Sequence, residues 1–298
     1  MKKLSLKGTI TALITPFKKD GSVDFNNLEK LIDHQIENKA NGILVCGSTG
    51  ESATLSFKER QAVIIKAVEH SAGKIPIIAG TGSNETQTSL DLTLFAKEHG
   101  ADAALLVTPY YNKPTQQGLF EHFRLIAENV DLPQIVYNVP GRTAVNLMPE
   151  TQLKLAEECD NIVATKEASG DLNQMMEIIR YAPDGFDLFA GDDSLAVPVI
   201  SIGGKGVISV ISNYATKEFV NCIDLALKGK FKEAMEVHFK LMDLMELNFI
   251  ESNPIPVKSA MAIMKLTKEI YRMPLISIRP ENKRKIKKAL IEAGLIKK

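Results

Sequence analysis

A lysine ends the short apolar run in residues 161–170, NIVATKEASG, and is the first candidate for chemistry in the chain. Ile162, Ala164 and Lys166 share one parity, so on a strand they would point to the same face. An ammonium among apolar groups is costly, and this desolvation lowers its pKa. Because a neutral amine attacks carbonyl groups, the segment predicts either a Schiff-base nucleophile or a lysine whose head reaches water at a strand end.

Hydroxyl groups and glycines follow an earlier apolar run, in the segment 47–52, GSTGES. Glycines let the backbone approach a ligand, and successive N–H groups beside the hydroxyls of Ser48 and Thr49 suit a carboxylate. The alternative is an ordinary turn that leads into a helix cap.

Two tyrosines and an arginine follow two further runs, in TPYYN (108–112) and YNVPGRT (137–143). Tyr137 shares its parity with Ile135, so it should face inward near Lys166 and could relay protons through its phenol. Tyr111 and Tyr137 could instead be amphipathic core residues. Arg142 suits a bidentate grip on a carboxylate, or is a surface loop charge.

Eight short apolar runs, each ending in turn-forming residues, alternate with helical patterns along the chain. They cover 9–17, 42–50, 75–82, 101–111, 133–141, 161–170, 186–193 and 204–212. Eight strand–helix units predict an α/β fold of the (β/α)8 TIM-barrel type. A doubly wound sheet is the alternative, but no run is followed by the glycine-rich turn of a dinucleotide binder. In a barrel, the candidate groups would converge on one mouth.

Helix boundaries are indicated by a capping box at Ser56 and Glu59, by Pro149 in a first turn, and by Gly42, Gly100 and Gly185 as helix stops. After about residue 225 the strand pattern ends, and helices are expected to the end of the chain. We therefore predict a catalytic barrel over 1–225 and a small helical domain over 226–298.

Composition argues against several classes of protein. Lys plus Arg and Asp plus Glu number 36 each, so no net charge favours nucleic acid or a membrane surface as a partner. Three scattered cysteines and five scattered histidines predict no metal site and no disulfide framework. With no signal peptide or membrane span expected, a reduced cytoplasmic location is the default.

Motifs along nearly the whole chain resemble those of the pyruvate-dependent class I aldolases of the N-acetylneuraminate lyase superfamily, and within it the dihydrodipicolinate synthase family. They are GSTGESATL (47–55), AGTGSN (79–84), VTPYYNKP (107–114), YNVPGRT (137–143), KEASG (166–170), GDD (191–193), GGKGVISV (203–210) and NPIPVK (253–258).

The resemblance implies condensation of pyruvate with L-aspartate 4-semialdehyde on the route to lysine and diaminopimelate, without cofactor or metal. Lys166 would form the Schiff base, Tyr137 would be the acid/base, and Ser48 and Tyr111 would complete a proton relay. Substrates would be held by Thr49, Arg142, Gly191 and the backbone at Ile208. It also implies a homotetramer built as a dimer of dimers, in which Tyr111 reaches the neighbouring subunit's site.

Two positions depart from the family pattern. Ser48 is more usually threonine in the synthases, whereas Gly-Ser-Thr is common in the sialic-acid lyases; the hydroxyl is kept. Phe57 and Thr88 stand where lysine-inhibited members have a histidine and a glutamate. Losing that carboxylate removes a charge-assisted contact of roughly 1.5–3 kcal/mol, so we expect weak or absent inhibition by lysine.

The alternatives are another pyruvate aldolase, such as an N-acetylneuraminate lyase or a keto-deoxy-sugar-acid aldolase, and a non-catalytic ligand-binding barrel. Arg142 favours the synthase, because those aldolases typically lack this arginine. The combination of lysine, tyrosines and hydroxyl loop argues against a protein without catalysis.

Overall fold

A computed structural model describes residues 6–297 and contains a closed barrel of eight parallel strands. The strands are β1 (Gly8–Ala12), β2 (Gly42–Val45), β3 (Ile77–Gly80), β4 (Ala103–Val107), β5 (Gln134–Asn138), β6 (Ile162–Glu167), β7 (Asp187–Ala190) and β8 (Gly206–Ser209). The predicted (β/α)8 fold is thus confirmed.

Helices lie between and after the strands. They are α1 (Phe25–Glu37), α2 (Phe57–Ser71), α3 (Thr86–Glu98), α4 (Gln116–Asn129), α5 (Pro140–Thr143), α6 (Pro149–Glu158), α7 (Leu172–Tyr181), α8 (Ala196–Ser201), α9 (Thr216–Leu227), α10 (Phe231–Leu247), α11 (Ile255–Ile263) and α12 (Pro280–Glu292). Within residues 6–297, none is long and apolar enough to cross a membrane.

The barrel closes where β1 pairs with β8, and glycines make this contact close. Gly8 lies opposite Gly206, and a Cβ added to Gly206 would fall 2.0 Å from the carbonyl oxygen of Gly8. Asn213 ties the same seam, because its side chain donates to Ala12 O and accepts from Ile14 N. Asn213 therefore helps to hold the first and last strands together. Their close approach requires glycine at position 206, because any larger residue would collide with the backbone of Gly8.

Side chains of the strands alternate between two apolar layers, as parallel strands buried on both faces require. One layer fills the barrel interior and includes Ile135, Tyr137, Ala164 and Ile208, whereas the larger layer lies between the strands and the helices. The inward direction predicted for Tyr137 is the observed one.

Three details of the sequence interpretation were wrong, among them the helix stop at Gly185, because α7 already ends at Tyr181 with Ala182 as its cap. Ile162 lies in the outer layer and Ala164 in the interior, because the register between β5 and β6 shifts at Gln134 and Ile135, so one strand residue is inserted and the parity changes. Gly42 does not stop a helix, because α1 ends at Glu37, Lys39 takes the left-handed turn (φ 62°), and Gly42 begins β2.

Other local predictions agree with the structure. Ser56 and Glu59 form the reciprocal capping box of α2, and Pro149 is the first residue of α6. Gly100 follows the cap of α3 with a φ of 81°. The division at residue 225 stays a prediction; α9, the helix after the last strand, runs to Leu227.

Helices of the C-terminal region pack onto the barrel and reach its catalytic end. Helix α10 packs against α9 and α12, while α11 carries Lys258 into the interior of the protein. There Lys258 forms a buried ion pair with Glu51, which follows β2, and its ammonium also donates to Ile270 O at 3.0 Å. The loop after β2, which belongs to the predicted barrel domain, is thus held by a residue of the predicted C-terminal domain.

Candidate active site

Lys166 and Tyr137 lie side by side at the carboxyl ends of neighbouring strands. They are paired in register between β5 and β6, and the Nζ of Lys166 lies 4.3 Å from the centroid of the Tyr137 ring. Their relative exposures are only 5% and 6%, so both polar ends lie away from bulk water. This places an amine and a phenol together inside the barrel mouth.

Burial shifts the pKa of each group toward its neutral form. It lowers the pKa of Lys166 to about 8, although the negative charges of Asp192 and Asp193 oppose the change. It raises the pKa of Tyr137 to about 12, opposed by the charge of Arg142 and by a hydrogen bond with the Ser48 hydroxyl. About a tenth of the Lys166 amine is therefore neutral at pH 7, beside a phenol that keeps its proton.

The loop after β2 brings two hydroxyl groups to the same mouth. Thr49 is buried, and its Oγ1 accepts a hydrogen bond of 2.9 Å from the Nδ2 of Asn253. Thr15 donates to Gly50 O at 2.7 Å, and Glu51 occupies the left-handed region with a φ of 54°. Since Lys258 holds the Glu51 carboxylate, this otherwise unfavourable conformation is fixed by a long-range ion pair.

Asn253 also connects the hydroxyl loop with Arg142. Its side chain contacts Thr49, and its carbonyl oxygen lies 3.5 Å from the Nη2 of Arg142. Arg142 itself lies in α5 and is exposed, so its remaining N–H groups are free to face a ligand. One residue from beyond the barrel thereby positions two groups on opposite sides of the mouth.

Strands β7 and β8 contribute backbone to the site. Gly191 donates its N–H to Glu167 O at 2.7 Å, and a Cβ there would come within 2.4 Å of the Ala168 Cβ. Ile208 is fully buried in the interior layer. Next to it, the carboxylate of Asp193 accepts from the N–H groups of Val210 and Ile211, which fixes the loop after β8.

Behind the lysine and tyrosine, the next residue of each strand points away from the mouth into a polar network. Glu167 is fully buried, and its carboxylate accepts from four groups: the side chains of Asn138, Gln152 and Gln174 and the N–H of Ser169. The Oδ1 of Asn138 also accepts a hydrogen bond of 2.9 Å from the N–H of Leu147, which follows the turn that carries Arg142. The network ties the two strands and this turn into one unit.

Two adjoining cavities occupy the mouth. The inner one, of about 40 Å³, is lined by Lys166, Tyr137, Thr49, Gly191 and Asp192 among others. The outer one, of about 350 Å³, opens toward the surface. Both are lined by Ser48, Val139, Arg142 and Asn253. The inner cavity thus gives access to Lys166, and the outer cavity adjoins it through the four shared residues.

The structure therefore brings together six of the eight sequence-predicted site residues around the inner cavity, namely Lys166, Tyr137, Ser48, Thr49, Arg142 and Gly191. Ile208 lies in the neighbouring interior layer. Tyr111 is separate: it is 91% exposed, with a left-handed φ of 74°. Within this chain it lines neither cavity.

Residues with no role in the sequence interpretation also shape the site. Asp192, Asn253 and Glu167 lay inside quoted motifs, yet neither composition nor spacing marked them as functional. The only signal was position, since Glu167 ends β6, Asp192 follows the end of β7 by two residues, and Asn253 directly precedes Pro254.

Comparison with known proteins finds relatives that match the chain over nearly its whole length. Residues 5–293 match the model of the dihydrodipicolinate synthetase family. The 4-hydroxy-tetrahydrodipicolinate synthase of Geotalea uraniireducens (strain Rf4) is 50% identical over 290 residues, which cover 97% of this chain and 99% of that protein. The enzyme of the same name from Aquifex aeolicus (strain VF5) is 48% identical over 289 residues, or 97% and 98% of the two chains.

Solved structures give the same result. Dihydrodipicolinate synthase from Aquifex aeolicus superposes with a TM-score of 0.96 at 47% identity, covering 98% of this chain and all of that one. The chloride-inhibited synthase from Acinetobacter baumannii, solved in complex with pyruvate, also superposes with a TM-score of 0.96, at 43% identity and with coverage of 98% and 100%.

Proposed function

The chain belongs to the dihydrodipicolinate synthetase family, and from this membership we propose that it is a lyase with 4-hydroxy-tetrahydrodipicolinate synthase activity. It condenses pyruvate with L-aspartate 4-semialdehyde in lysine and diaminopimelate biosynthesis. The observation that carries the proposal is the buried Lys166 amine beside the Tyr137 phenol at the mouth of the barrel.

The reaction begins with attack of the neutral Lys166 amine on the keto carbon of pyruvate. The keto oxygen leaves as water after proton transfers, and a Schiff base remains on Nζ. Tyr137 supports these transfers, because its phenol is protonated and lies within reach of both the amine and Ser48. The role of the low lysine pKa is to supply this amine at neutral pH.

Pyruvate is oriented by the groups that meet its carboxylate. We assign this to the hydroxyl of Thr49 and the backbone around Ile208, with Gly191 leaving space at the wall of the inner cavity. Asn253 keeps the Thr49 hydroxyl in place. These contacts hold the keto carbon over Nζ.

The second substrate enters from the outer cavity. Its carboxylate binds the guanidinium of Arg142, which faces both cavities, and this places the aldehyde next to the enamine formed from the Schiff base. The enamine carbon forms the new bond to the aldehyde carbon. Ser48 and Tyr137 carry the proton that the new hydroxyl needs, with Tyr111 of a neighbouring subunit as the third member of the relay.

The proposed assembly is a homotetramer built from two dimers. Its support in this chain is Tyr111, an exposed aromatic residue held in a left-handed conformation that serves no contact in its own subunit's cavities. We also propose a cytoplasmic location, in keeping with three cysteines that are free and buried.

Trapping with borohydride tests the function. The protein is incubated with pyruvate and borohydride and the adduct is mapped by mass spectrometry, while turnover is followed with both substrates. We expect the adduct on Lys166, together with turnover. An adduct elsewhere would refute the mechanism, and an adduct without turnover would indicate an aldolase with another acceptor.

A further inference from the structure

One carboxylate of the inner cavity has no hydrogen-bond or ion-pair partner among the described residues. Asp192 lines this cavity with Lys166 and Arg142 and is half-buried. Across residues 6–297, no hydrogen bond within 3.5 Å and no ion pair within 4 Å reaches its carboxylate. Its neighbour Asp193 is the opposite case, since two backbone N–H groups satisfy that side chain.

The surroundings compensate the charge of Asp192 only in part. Burial raises the pKa of its carboxyl group, opposed by the positive charges of Lys166 and Arg142 acting from beyond ion-pair distance. A poorly solvated carboxylate without hydrogen bonds is unfavourable unless a cation or donor arrives. The cavity therefore suits a ligand that carries a positive charge close to the Schiff base.

The other carboxylates near the mouth are already occupied. Glu167 accepts from four donors, and Glu51 is paired with Lys258. Among the described acidic residues that line the inner cavity, Asp192 alone is available. The acceptor substrate of the proposed function carries an α-ammonium beside its α-carboxylate, and Arg142 on the same wall is assigned to that carboxylate.

We propose that Asp192 binds the α-ammonium of the acceptor and removes its proton when the amine closes the ring. This deepens the proposed function and rests on it. Arg142 and Asp192 together would then recognise the acceptor as an amino acid, and Asp192 would be a catalytic residue of the second half of the reaction.

After the carbon–carbon bond has formed, the ammonium gives one proton to the Asp192 carboxylate. The freed nitrogen lone pair attacks the Schiff-base carbon, forming the ring carbon–nitrogen bond, while the electrons of the C=N bond return to Nζ of Lys166. A proton then moves from the ring nitrogen to Nζ. The bond from carbon to Nζ breaks, and the ring nitrogen forms the new C=N bond, which releases a cyclic imine and the free lysine.

The test replaces Asp192 by asparagine, which keeps the shape and removes the base. The Asp192→Asn protein is mixed with pyruvate and L-aspartate 4-semialdehyde, then treated with borohydride, and the adduct on Lys166 is weighed. We expect an adduct larger than that of pyruvate by one aldehyde molecule, because the open-chain product cannot leave. Turnover should fall about 10²–10⁴-fold, the usual contribution of a general base.

Three controls define the result. Wild-type protein with 4-oxobutanoate, the same aldehyde acid without its amino group, should give the larger adduct and so verifies its detection. Asp184→Asn removes an exposed carboxylate from the turn before β7 and should behave as wild type. Asp192→Glu restores the base and should recover part of the turnover. Asp192→Ala, which also removes the carboxylate, replaces Asp192→Asn if that variant fails to fold.

Each outcome decides the proposal. Turnover by Asp192→Asn within about twofold of wild type would overturn it. Slow turnover without the larger adduct would also overturn it, because Asp192 would then act before the carbon–carbon bond is formed. Loss of the pyruvate adduct from a folded Asp192→Asn protein would equally overturn it. Absence of a pyruvate adduct in wild type would instead refute the proposed function.

Discussion

Replacing Lys166 by methionine is expected to stabilise the protein while abolishing its reaction with pyruvate. Burial lowers the lysine pKa from 10.5 to about 8 in the folded chain. Between pH 8 and pH 10.5 the folded state thus binds fewer protons than the unfolded state. Below pH 8 the full free-energy cost of burying the Lys166 ammonium opposes folding. From the shift, this amount is about 3 kcal/mol at pH 7 and falls to about 2 kcal/mol at pH 9.

A second buried lysine provides the matched comparison. Burial also lowers the pKa of Lys258 to about 8, but Lys258 forms an ion pair with Glu51 whereas Lys166 has none among residues 6–297. Lys258→Met leaves the Glu51 carboxylate buried without its cation, which typically costs about 3–5 kcal/mol. The same substitution should therefore stabilise the protein at one site and destabilise it at the other.

Urea denaturation followed by circular dichroism measures both variants, at pH 7 and pH 9 and at one fixed protein concentration, because assembly changes apparent stability. The advantage of Lys166→Met over wild type should shrink as pH rises. Two results would contradict this reasoning: a Lys166→Met protein less stable than wild type at pH 7, or a gain in unfolding free energy that does not change with pH. Either would show that burial of the Lys166 ammonium does not destabilise the folded protein.

Three further predictions concern binding, positioning and regulation. Arg142→Met should raise the KM for L-aspartate 4-semialdehyde by about 10–100-fold, the loss of a charged contact of about 1.5–3 kcal/mol, and leave borohydride trapping of pyruvate unchanged; steady-state kinetics with each substrate varied separates the two effects. Glu167→Gln replaces one acceptor of a satisfied network by a donor, and should cost about 1–3 kcal/mol in urea denaturation together with a lower kcat, since it holds both reactive strands. Finally, L-lysine titrated into the steady-state assay should inhibit weakly or not at all, because Phe57 and Thr88 supply no carboxylate; inhibition at low concentration would contradict this.

Much of the fold follows from the sequence because periodicity and strand-end chemistry report on local structure. Lys166 and Tyr137 could be placed side by side from parity and strand order alone. Ile162 could not, because the inserted residue that reverses its direction arises from pairing between β5 and β6, which a single strand does not reveal. Local patterns therefore define the elements but not their register.

The parts of the site that sequence reasoning missed depend on distant partners. Asn253 matters because it meets Thr49 204 residues earlier, and Glu167 because four donors from three elements and a turn converge on it. Asp192 is distinguished by lacking such partners. None of these properties is encoded in the residues next to them in the chain.

The ion pair between Glu51 and Lys258 also bears on when the enzyme becomes active during its synthesis. The two residues are 207 positions apart, and Lys258 leaves the ribosome long after the last strand, β8. All eight strands have been synthesised by then, yet the loop with Ser48 and Thr49 still lacks the cation that holds it. Catalytic competence thus has to wait for the synthesis of α11, because a chain that stops before this helix lacks the cation that pairs with Glu51.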